Sequence, residues 1–538
     1  MNKGMRWVIV LISLVVVLAL GITAGWKLAR QVDDSATEAD AQVVPVEQKP
    51  IVQVSLPFSH AHDSFEEDLH GWEPREGEET LSLSSDAVHS GRQSMRIADR
   101  AHASSGAVKD ITAMVVPDSH YKFRAWVKLA ADGAETIKLM LQSSSGESTD
   151  IAALASGVVG AEDWALLEGD FEYEGKADEL WLYLAGEQAG VDFYIDDVLT
   201  TRVGDLALKI EEDIPALKDV FEDAFILGTA FTNDELTEPD MALIVKHFSS
   251  VTPGNALKWD STEPSEGVFR WENSDEAVRF AEKNELLLRG HTLVWHSQTP
   301  QWVFYDDNKQ LVTKEVLYAR MKHHIDVVMG RYQGKMVAWD VVNEVIDENE
   351  PDGLRRSLWY EIAGEEYIEK AFEYARAADP DVKLYINDYN TEVPAKAEKL
   401  HALVKRLKDK GVPIDGVGHQ FHTNIEWPSM SNLEHAITRF SDLDVEQQVT
   451  ELDIDVHSNS QQRYETFPEE LAARQAERYR AIFEVLRRNA ELIDSVTLWG
   501  KDDGHTWLTD FPVKRNNWPL LFDERLRAKE AYWAIVNP

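Results

Sequence analysis

Two short apolar, β-branched segments of the chain carry carboxylates beside other hydrogen-bonding residues. The first is Trp339-Asp-Val-Val-Asn-Glu344 and the second is Thr450-Glu-Leu-Asp-Ile-Asp455. Acid–base cleavage of a glycosidic bond needs two carboxyl groups, one as the acid and one as the nucleophile or base. Glu344 and Glu451, presented from the ends of different strands, are the candidates for this pair. The two segments therefore indicate a polysaccharide hydrolase.

Side chains on a β-strand alternate between its two faces, so residues two apart point the same way. Glu451 and Asp453 then share one face, as do Gln420 and His422. A carboxylate beside an imidazole and a second carboxylate can be held ionised or neutral, depending on its hydrogen bonds. The pattern predicts a tuned catalytic carboxylate, although each residue by itself also fits a structural position.

The strands that carry these residues belong to a regular alternation of strands and helices after about Gly204. Helical patterns such as residues 365–378 and 397–410 separate the strands. Eight strand–helix units predict a (β/α)8 TIM barrel in an α/β fold class, over residues 204–538. The candidate strands are residues 225–230, 251–258, 286–295, 337–344, 383–387, 416–422, 448–454 and 496–500.

Catalysis in such barrels takes place at the carboxyl ends of the strands. The predicted strand ends here are polar one after another, which a purely structural sheet would not need. They carry Asn255, Lys258, His291, Asn343, Glu344, Asn387, Gln420, His422, Glu451 and Trp499.

The region before the barrel contains short alternating runs with no long amphipathic helix between them. Such spacing predicts an all-β sandwich over residues 58–203. The predicted strands are residues 94–97, 121–129, 136–141, 165–173, 179–184 and 192–199.

The barrel region resembles glycoside hydrolase family 10, whose usual activity is that of an endo-1,4-β-xylanase. The matching segments occur in family order across residues 210–538. They are Gly290-His-Thr-Leu-Val-Trp-His-Ser-Gln298, Trp339-Asp-Val-Val-Asn-Glu344, Asn387-Asp-Tyr-Asn390, Thr450-Glu-Leu-Asp-Ile454, Leu498-Trp-Gly500 and Pro519-Leu-Leu-Phe-Asp523.

The resemblance implies a retaining double displacement on xylan or xylo-oligosaccharides, without a cofactor or metal. Glu344 would be the general acid/base and Glu451 the nucleophile. His422 and Asp453 would orient Glu451, and Asn343 would contact the sugar 2-hydroxyl. Residues along the glycone subsites and the rest of the substrate cleft would be Asn255, Lys258, His291, Trp295, Gln298, Tyr389 and Gln420. Trp499 and Trp507 would crowd the place of a hexose CH2OH group and favour xylose.

One position departs from the family pattern. Gly254 stands where the family usually carries a glutamate that binds the distal glycone sugar. We expect a weaker subsite there. This leaves open an enzyme tuned to short xylo-oligosaccharides or aryl β-glycosides. A barrel that binds polysaccharide without cleaving it is the alternative from another class.

The sandwich resembles a family 22 carbohydrate-binding module. The resemblance rests on Phe65-Glu66, Gly71-Trp72, Ser90-Gly91, residues 121–127, Trp164, Tyr183 and Phe193-Tyr-Ile-Asp-Asp197. It implies ligand contacts by Arg75, Tyr183 and Glu187. Ser104 stands where a stacking Trp is usual, and an aromatic expected near Asp150 is missing. Xylan binding and a spacer or stabilising role both stay open.

Composition narrows the partners. The 538 residues carry a net charge of −41, which argues against nucleic acid and anionic membrane surfaces as partners. The chain has no cysteine, so neither disulfides nor cysteine-based metal sites are available. The pairs His323-His324 and His60/His62 lack converging carboxylates in the sequence, and we interpret them as surface residues.

The first residues predict export. Lys3 and Arg6 precede an apolar stretch over residues 7–26, long enough at ~1.5 Å per residue to cross a bilayer core. We expect residues 1–30 to be either an uncleaved membrane anchor or a cleaved signal segment. Residues 31–57 are acidic and aperiodic and are predicted to be an exposed linker. Both interpretations place the enzyme outside the cytoplasm, anchored in the membrane or secreted.

Overall fold

The computed structural model describes residues 60–146 and 148–537. The predicted anchor and linker lie outside the described residues. The chain divides into two compact units between Leu206 and Ala207. Each unit has its own hydrophobic core.

The first unit is a sandwich of two antiparallel sheets. One sheet has the strand order β3-β4-β11-β6-β9, with β1 also paired to β11, and the other has the order β2-β5-β10-β7-β8. The strands are β1 His60–Asp63, β2 Glu73–Pro74, β3 Thr80–Ser84, β4 Ser94–Ala98, β5 Gly106–Asp110, β6 Ser119–Leu129, β7 Ala134–Ser145, β8 Ser148–Gly160, β9 Ala165–Tyr173, β10 Glu179–Gly186 and β11 Phe193–Asp205.

Alternating side chains build the sandwich core. Along β6, Tyr121, Phe123, Ala125 and Val127 are buried between the sheets, while the residues that alternate with them face outward. Along β10, Leu180, Leu182 and Leu184 enter the same core. The sandwich prediction is therefore confirmed.

The second unit is a closed barrel of parallel strands, as predicted. The strand order is β17-β16-β15-β14-β13-β12-β20-β19, and pairing of β17 with β19 closes the ring. The strands are β12 Ile226–Phe231, β13 Ser250–Pro253, β14 Leu287–Trp295, β15 Ala338–Asn343, β16 Lys383–Asp388, β17 Gly416–His419, β18 His422–Asn424, β19 Glu446–Asp455 and β20 Ser495–Leu498.

Helices surround the barrel and pack their apolar faces on the strands. Among them, α4 has an apolar face that includes Ala277, Phe280 and Ala281, all buried. The α-helices are α1 Leu217–Val220, α2 Glu238–His247, α3 Trp259–Thr262, α4 Glu272–Lys283, α5 Lys314–Arg331, α6 Leu358–Ala363, α7 Glu366–Ala378, α8 Pro394–Asp409, α9 Met430–Thr438, α10 Glu469–Arg488 and α11 Glu530–Val536.

Two predicted strands are shorter than the sequence pattern indicated. The strand predicted over 251–258 ends at Pro253, and Lys258 is the N-cap of α3. The strand predicted over 416–422 breaks after His419, because Phe421 has a φ of 58° and cannot continue an extended strand. His422 begins the short strand β18, which pairs with β19.

The prediction that His324 is a surface residue is wrong. Its ring is fully buried, stacks on Trp259 with the ring centroids 3.8 Å apart, and places Nδ1 2.9 Å from a carboxylate oxygen of Glu263. Burial lowers its pKa. His323 is exposed, as expected. His62 is exposed, as expected, but its Nε2 lies 2.7 Å from a carboxylate oxygen of Asp197, a partner that the sequence interpretation did not anticipate.

Candidate active site

A cleft of 710 Å³ opens at the carboxyl ends of the barrel strands. It brings the residues predicted from the barrel sequence together, with Asp453 buried behind His422. The cleft is lined by Asn255, Lys258, His291, Trp295, Gln298, Asn343, Glu344, Tyr389, Gln420, His422, Glu451, Trp499 and Trp507.

Glu451 lies on β19 and is almost fully buried. One carboxylate oxygen accepts a 2.7 Å hydrogen bond from the amide of Asn387, and the other lies 3.2 Å from Nε2 of His422. Burial alone would raise the pKa of Glu451, but the His422 hydrogen bond and the nearby charges of His291 and His422 hold it below its ordinary value. The carboxylate is therefore kept ionised, as a nucleophile requires.

His422 joins Glu451 to a second carboxylate. Its Nδ1 lies 2.9 Å from an oxygen of Asp453. Burial disfavours the imidazolium, but Asp453 and Glu451 raise the pKa of His422 to about 10. The indole N–H of Trp507 donates to the same oxygen of Asp453 at 2.8 Å. Trp507 thus both lines the cleft and fixes the residue that orients His422.

Glu344 follows directly after β15 with a φ of 60°. A non-glycine residue in this left-handed region stores backbone strain, which is commonest at functional sites. One carboxylate oxygen accepts hydrogen bonds from Gln420 at 3.2 Å and from Asn343 at 3.3 Å. The other lies 3.8 Å from Nε2 of His296. The carboxyl group is partly exposed to the cleft, where it can exchange a proton with a leaving group.

Asn387 connects the two carboxylates, a role that the sequence interpretation missed. Its amide N–H2 donates to both Glu451 and the side-chain oxygen of Asn343, at 2.7 and 2.9 Å. Its own oxygen accepts from the hydroxyl of Thr450 at 2.7 Å. Strand alternation could have shown that Asn387 points into the barrel, but its partners lie on other strands.

Polar groups cluster around Lys258 on another part of the cleft. Its ammonium donates to Asn255 at 2.9 Å and to Gln298 at 2.8 Å, and lies 5.1 Å from the ring centre of Trp295. Burial lowers the pKa of Lys258. The cation and the amides can form hydrogen bonds with sugar hydroxyls, and the aromatic face can pack against sugar CH groups.

His296, Arg355 and Phe511 are among the residues that line the cleft and were not predicted. His296 stays accessible to solvent, but its position in the cleft withdraws the ring partly from water and lowers its pKa to about 4, so its imidazole is neutral near Glu344. Arg355 donates to the hydroxyl of Tyr389 at 2.6 Å and to the main-chain oxygen of Glu344 at 2.7 Å. Phe511 is exposed and stacks on Trp507 with the ring centroids 5.6 Å apart.

One group of potential metal ligands occurs among the described residues, and it consists of Glu235, Asp502 and His505. The ammonium of Lys501 lies among them, 3.3 Å from Glu235 and 2.8 Å from Nδ1 of His505, and also pairs with Asp502. A buried cation of the chain itself therefore balances these carboxylates. The arrangement is an ion-pair network at the edge of the cleft.

The barrel residues match a known family. Residues 216–538 match the model described as glycosyl hydrolase family 10. The chain belongs to glycosyl hydrolase family 10. This confirms the resemblance inferred from the motifs.

Several relatives of the chain are named xylanases. Endo-1,4-beta-xylanase A of Thermotoga maritima is 40% identical over 489 residues, covering 88% of this chain and 46% of the relative. Beta-1,4-xylanase of Dictyoglomus thermophilum is 47% identical over 60% of this chain and 91% of the relative. The solved structure of xylanase B from Clostridium stercorarium F9 is 43% identical, with a TM-score of 0.59, over 60% of this chain and all of that chain. The chain spans about half the length of the Thermotoga relative.

The sandwich of this family 10 protein also has a match. Residues 61–190 match a model described as a carbohydrate binding domain. In the sandwich, the guanidinium of Arg75 lies 4.0 Å from the ring centre of Tyr183 and donates to the main-chain oxygen of Ser104 at 3.0 Å. Tyr183 is consequently only 5% exposed. Glu187 forms a 2.8 Å ion pair with Lys138. The predicted contact residues thus bind one another or their neighbours in this structure.

Trp181 is an aromatic residue of this sheet that the sequence interpretation overlooked. It lies two residues before Tyr183 on β10, on the face opposite the core leucines, and is half-buried. Its strand partners are Asp110 and Gln142. The outward face of this sheet therefore has an accessible indole with polar neighbours.

None of the helices in the described part of the chain is both long enough and apolar enough to cross a membrane.

Proposed function

We propose that the protein is a retaining endo-1,4-β-xylanase that hydrolyses internal β-1,4-xylosidic bonds. The observation that carries the proposal is that the cleft contains two carboxyl groups, each of which accepts hydrogen bonds from neighbouring side chains. Glu451 is buried and held ionised by Asn387 and His422, while Glu344 is partly exposed and accepts from Gln420 and Asn343. The names of the family 10 relatives support xylan as the substrate.

The mechanism follows from these contacts. Glu451 attacks the anomeric carbon while Glu344 donates its proton to the leaving oxygen, which gives a glycosyl-enzyme intermediate. Glu344, now a base, takes a proton from water, and the water then displaces Glu451 with net retention. Asn343, which accepts from Asn387 at 2.9 Å, would contact the sugar 2-hydroxyl. No cofactor takes part in these steps.

Hydrolysis of xylan tests the proposal. The purified chain should release xylo-oligosaccharides of mixed length from soluble xylan, and Glu451→Ala should abolish the release. A protein that binds xylan but releases no reducing ends would instead be a non-catalytic polysaccharide-binding barrel.

A second candidate is an enzyme tuned to short xylo-oligosaccharides or aryl β-glycosides. The observation that favours it is Gly254, which lines the cleft without a side chain beside Lys258 and Asn255. Rates on xylotriose and on polymeric xylan, compared at equal bond concentration, separate the two candidates.

We propose that the enzyme acts outside the cytoplasm. Support comes from Lys3, Arg6 and the apolar residues 7–26, which suit either an anchor or a signal segment. Fractionation of cells that express the full chain tests this. Activity in the membrane fraction would favour an anchor, activity in the medium would favour cleavage, and activity in the cytoplasm would refute both.

A further inference from the structure

A chain of buried hydrogen bonds runs through the barrel interior from the cleft to the opposite end. It begins at His291, whose Nδ1 lies 2.9 Å from a carboxylate oxygen of Asp340. The guanidinium of Arg289 donates to both oxygens of Asp340, at 2.8 and 3.3 Å. Because a carboxylate held ionised by Arg289 can only accept, the hydrogen of His291 is fixed on Nδ1.

The chain continues past Arg289. Its Nε donates to the side-chain oxygen of Gln448 at 2.7 Å, and the amide of Gln448 donates to the hydroxyl of Tyr385 at 3.0 Å. That hydroxyl donates to Glu446 at 2.9 Å, and Glu446 also pairs with Lys383. The hydrogen bonds from Nε of Arg289 to Glu446 are thus all donated in one direction, away from the cleft, whereas the terminal N–H groups of Arg289 donate in the other direction, to Asp340.

Strand geometry explains how these side chains meet. Glu446, Gln448 and Thr450 alternate along β19 and share one face, which turns into the barrel. Glycine on β17 makes room for Tyr385, because a Cβ on Gly416 would lie 2.2 Å from the Tyr385 ring. At ~3.3 Å per residue, Glu446 lies about 16 Å along β19 from Glu451.

We propose that Gln448 and Tyr385 are positioning residues that hold Arg289 against Asp340 and thereby fix His291 in the cleft that Glu451 lines. Neither residue lines the cleft, and both lie toward the opposite end of the barrel. The inference rests on the proposed hydrolysis for its kinetic consequences. Its structural consequence, the fixed hydrogen on His291, exists without substrate.

Loss of the chain has a directional effect on activity. Burial disfavours ionised Asp340, and Arg289 and His291 together hold its pKa below the ordinary value. If Gln448 no longer accepts from Nε of Arg289, the guanidinium is positioned less firmly against Asp340. Asp340 then gains a proton more readily as the pH falls. Activity should therefore fall most on the acidic side, where Asp340 becomes a neutral carboxylic acid, a weaker acceptor that holds the His291 hydrogen on Nδ1 less firmly.

The test uses the full chain with Gln448→Met, which keeps the side-chain length, and Tyr385→Phe. On 4-nitrophenyl β-xylobioside, Gln448→Met should lower kcat/KM roughly five- to tenfold at pH 5 and less at pH 8. Tyr385→Phe should act in the same direction, by about two- to threefold. In an Asp340→Asn background neither change should lower kcat/KM further, since both act through Asp340.

The control is Thr497→Val, a buried change on β20 outside the chain of hydrogen bonds. Proton NMR of the free protein gives a second readout, with the Nδ1 hydrogen of His291 assigned by its loss in His291→Ala. This signal should broaden in Gln448→Met and stay sharp in Thr497→Val. An unchanged signal, or losses that multiply with Asp340→Asn, would overturn the inference. A wild-type protein that cleaves no xyloside would overturn only the proposed function, because the NMR arm still tests the positioning chain.

Discussion

Nε2 of His422 lies 3.2 Å from the carboxylate of Glu451 on the neighbouring strand, where Glu451 is buried and His422 is partly buried. The contact explains how a carboxylate that burial should neutralise stays ionised. Since Asp453 lies 2.9 Å from the other ring nitrogen, the imidazolium is balanced from both sides.

Removal of Glu344 and removal of Glu451 should change the activity in different ways. Glu344→Ala should keep appreciable first-step activity on an activated aryl xylobioside but lose xylan, since only the natural leaving group needs a proton. Azide should rescue this variant and give a β-azide. Glu451→Ala with azide should give an α-azide. The anomers are distinguished by NMR, and the reverse pattern would exchange the two roles.

The pH dependence should respond to His422. Glu451 attacks as a carboxylate, so kcat/KM is lost as the pH falls through its pKa. His422 lowers that pKa, and His422→Gln removes the effect while burial stays. The acid limb of the profile should therefore move to higher pH, with a loss on the order of tenfold at pH 5.

The matched control for that change is His401→Gln. Nε2 of His401 lies 2.7 Å from Asp442, in a histidine–carboxylate pair outside the cleft. Its acid limb should coincide with that of the wild type. An acid limb that stays in place in His422→Gln would show that His422 does not set the charge of Glu451.

Much of the barrel and of the candidate site could be predicted from the sequence, because the patterns that indicate them lie in neighbouring residues. The apolar runs that end in Asn343-Glu344 or contain Glu451 and Asp453 are strands by periodicity, and barrel geometry brings their ends together. Hydrophobic alternation likewise revealed β6 and β10. These inferences needed only neighbouring residues.

The missed features depend on distant partners. Strand β8 is rich in small and exposed residues, and it forms because it pairs along its whole length with β7. His324 is buried because Trp259 and Glu263 lie against it. The Arg75 guanidinium covers Tyr183, which no local pattern indicates.

Xylose selectivity should depend on Trp507. Truncation to alanine opens the wall next to His422, whose ring centre lies 4.9 Å away. The ratio of kcat/KM for the cellobioside to kcat/KM for the xylobioside should rise, by a factor that corresponds to about 1–3 kcal/mol of transition-state free energy. Trp533→Ala, a partly exposed position on α11, is the control. A constant ratio in a folded Trp507→Ala protein would reject the steric explanation.

Gly254 can be tested because the backbone accepts a side chain. Its φ is outside the left-handed region, and an added Cβ would meet only the Phe231 oxygen at 3.5 Å and the Thr232 methyl at 3.9 Å. Gly254→Glu should lower KM for xylotriose several-fold, because a hydrogen bond between the sugar and the new carboxylate should contribute about 1–3 kcal/mol to binding. Gly254→Ala should leave KM unchanged. Equal KM values in all three proteins would show that the position does not contact sugar.

The sandwich should bind xylohexaose weakly. Arg75 occupies the face of Tyr183, and sugar CH groups need such faces to bury apolar area at about 25 cal/mol per Å². We expect no micromolar binding by calorimetry to segment 58–206. Its deletion should leave kcat/KM on soluble oligosaccharides unchanged. A Kd below ~10 µM, about −7 kcal/mol, would contradict this. If such binding is measured and Trp181→Ala abolishes it, Trp181 is the aromatic residue on which the sugar packs.

The most direct test of the central claim is to trap the glycosyl-enzyme. A 2-deoxy-2-fluoro xylobioside with a good leaving group slows both steps, and slows deglycosylation enough for the intermediate to accumulate. Mass spectrometry of the digested protein should locate one added fluoroxylobiosyl group on Glu451, and none in Glu451→Ala. A label on any other residue, or an active enzyme that never acquires one, would contradict the assignment of Glu451 as the nucleophile of a retaining enzyme.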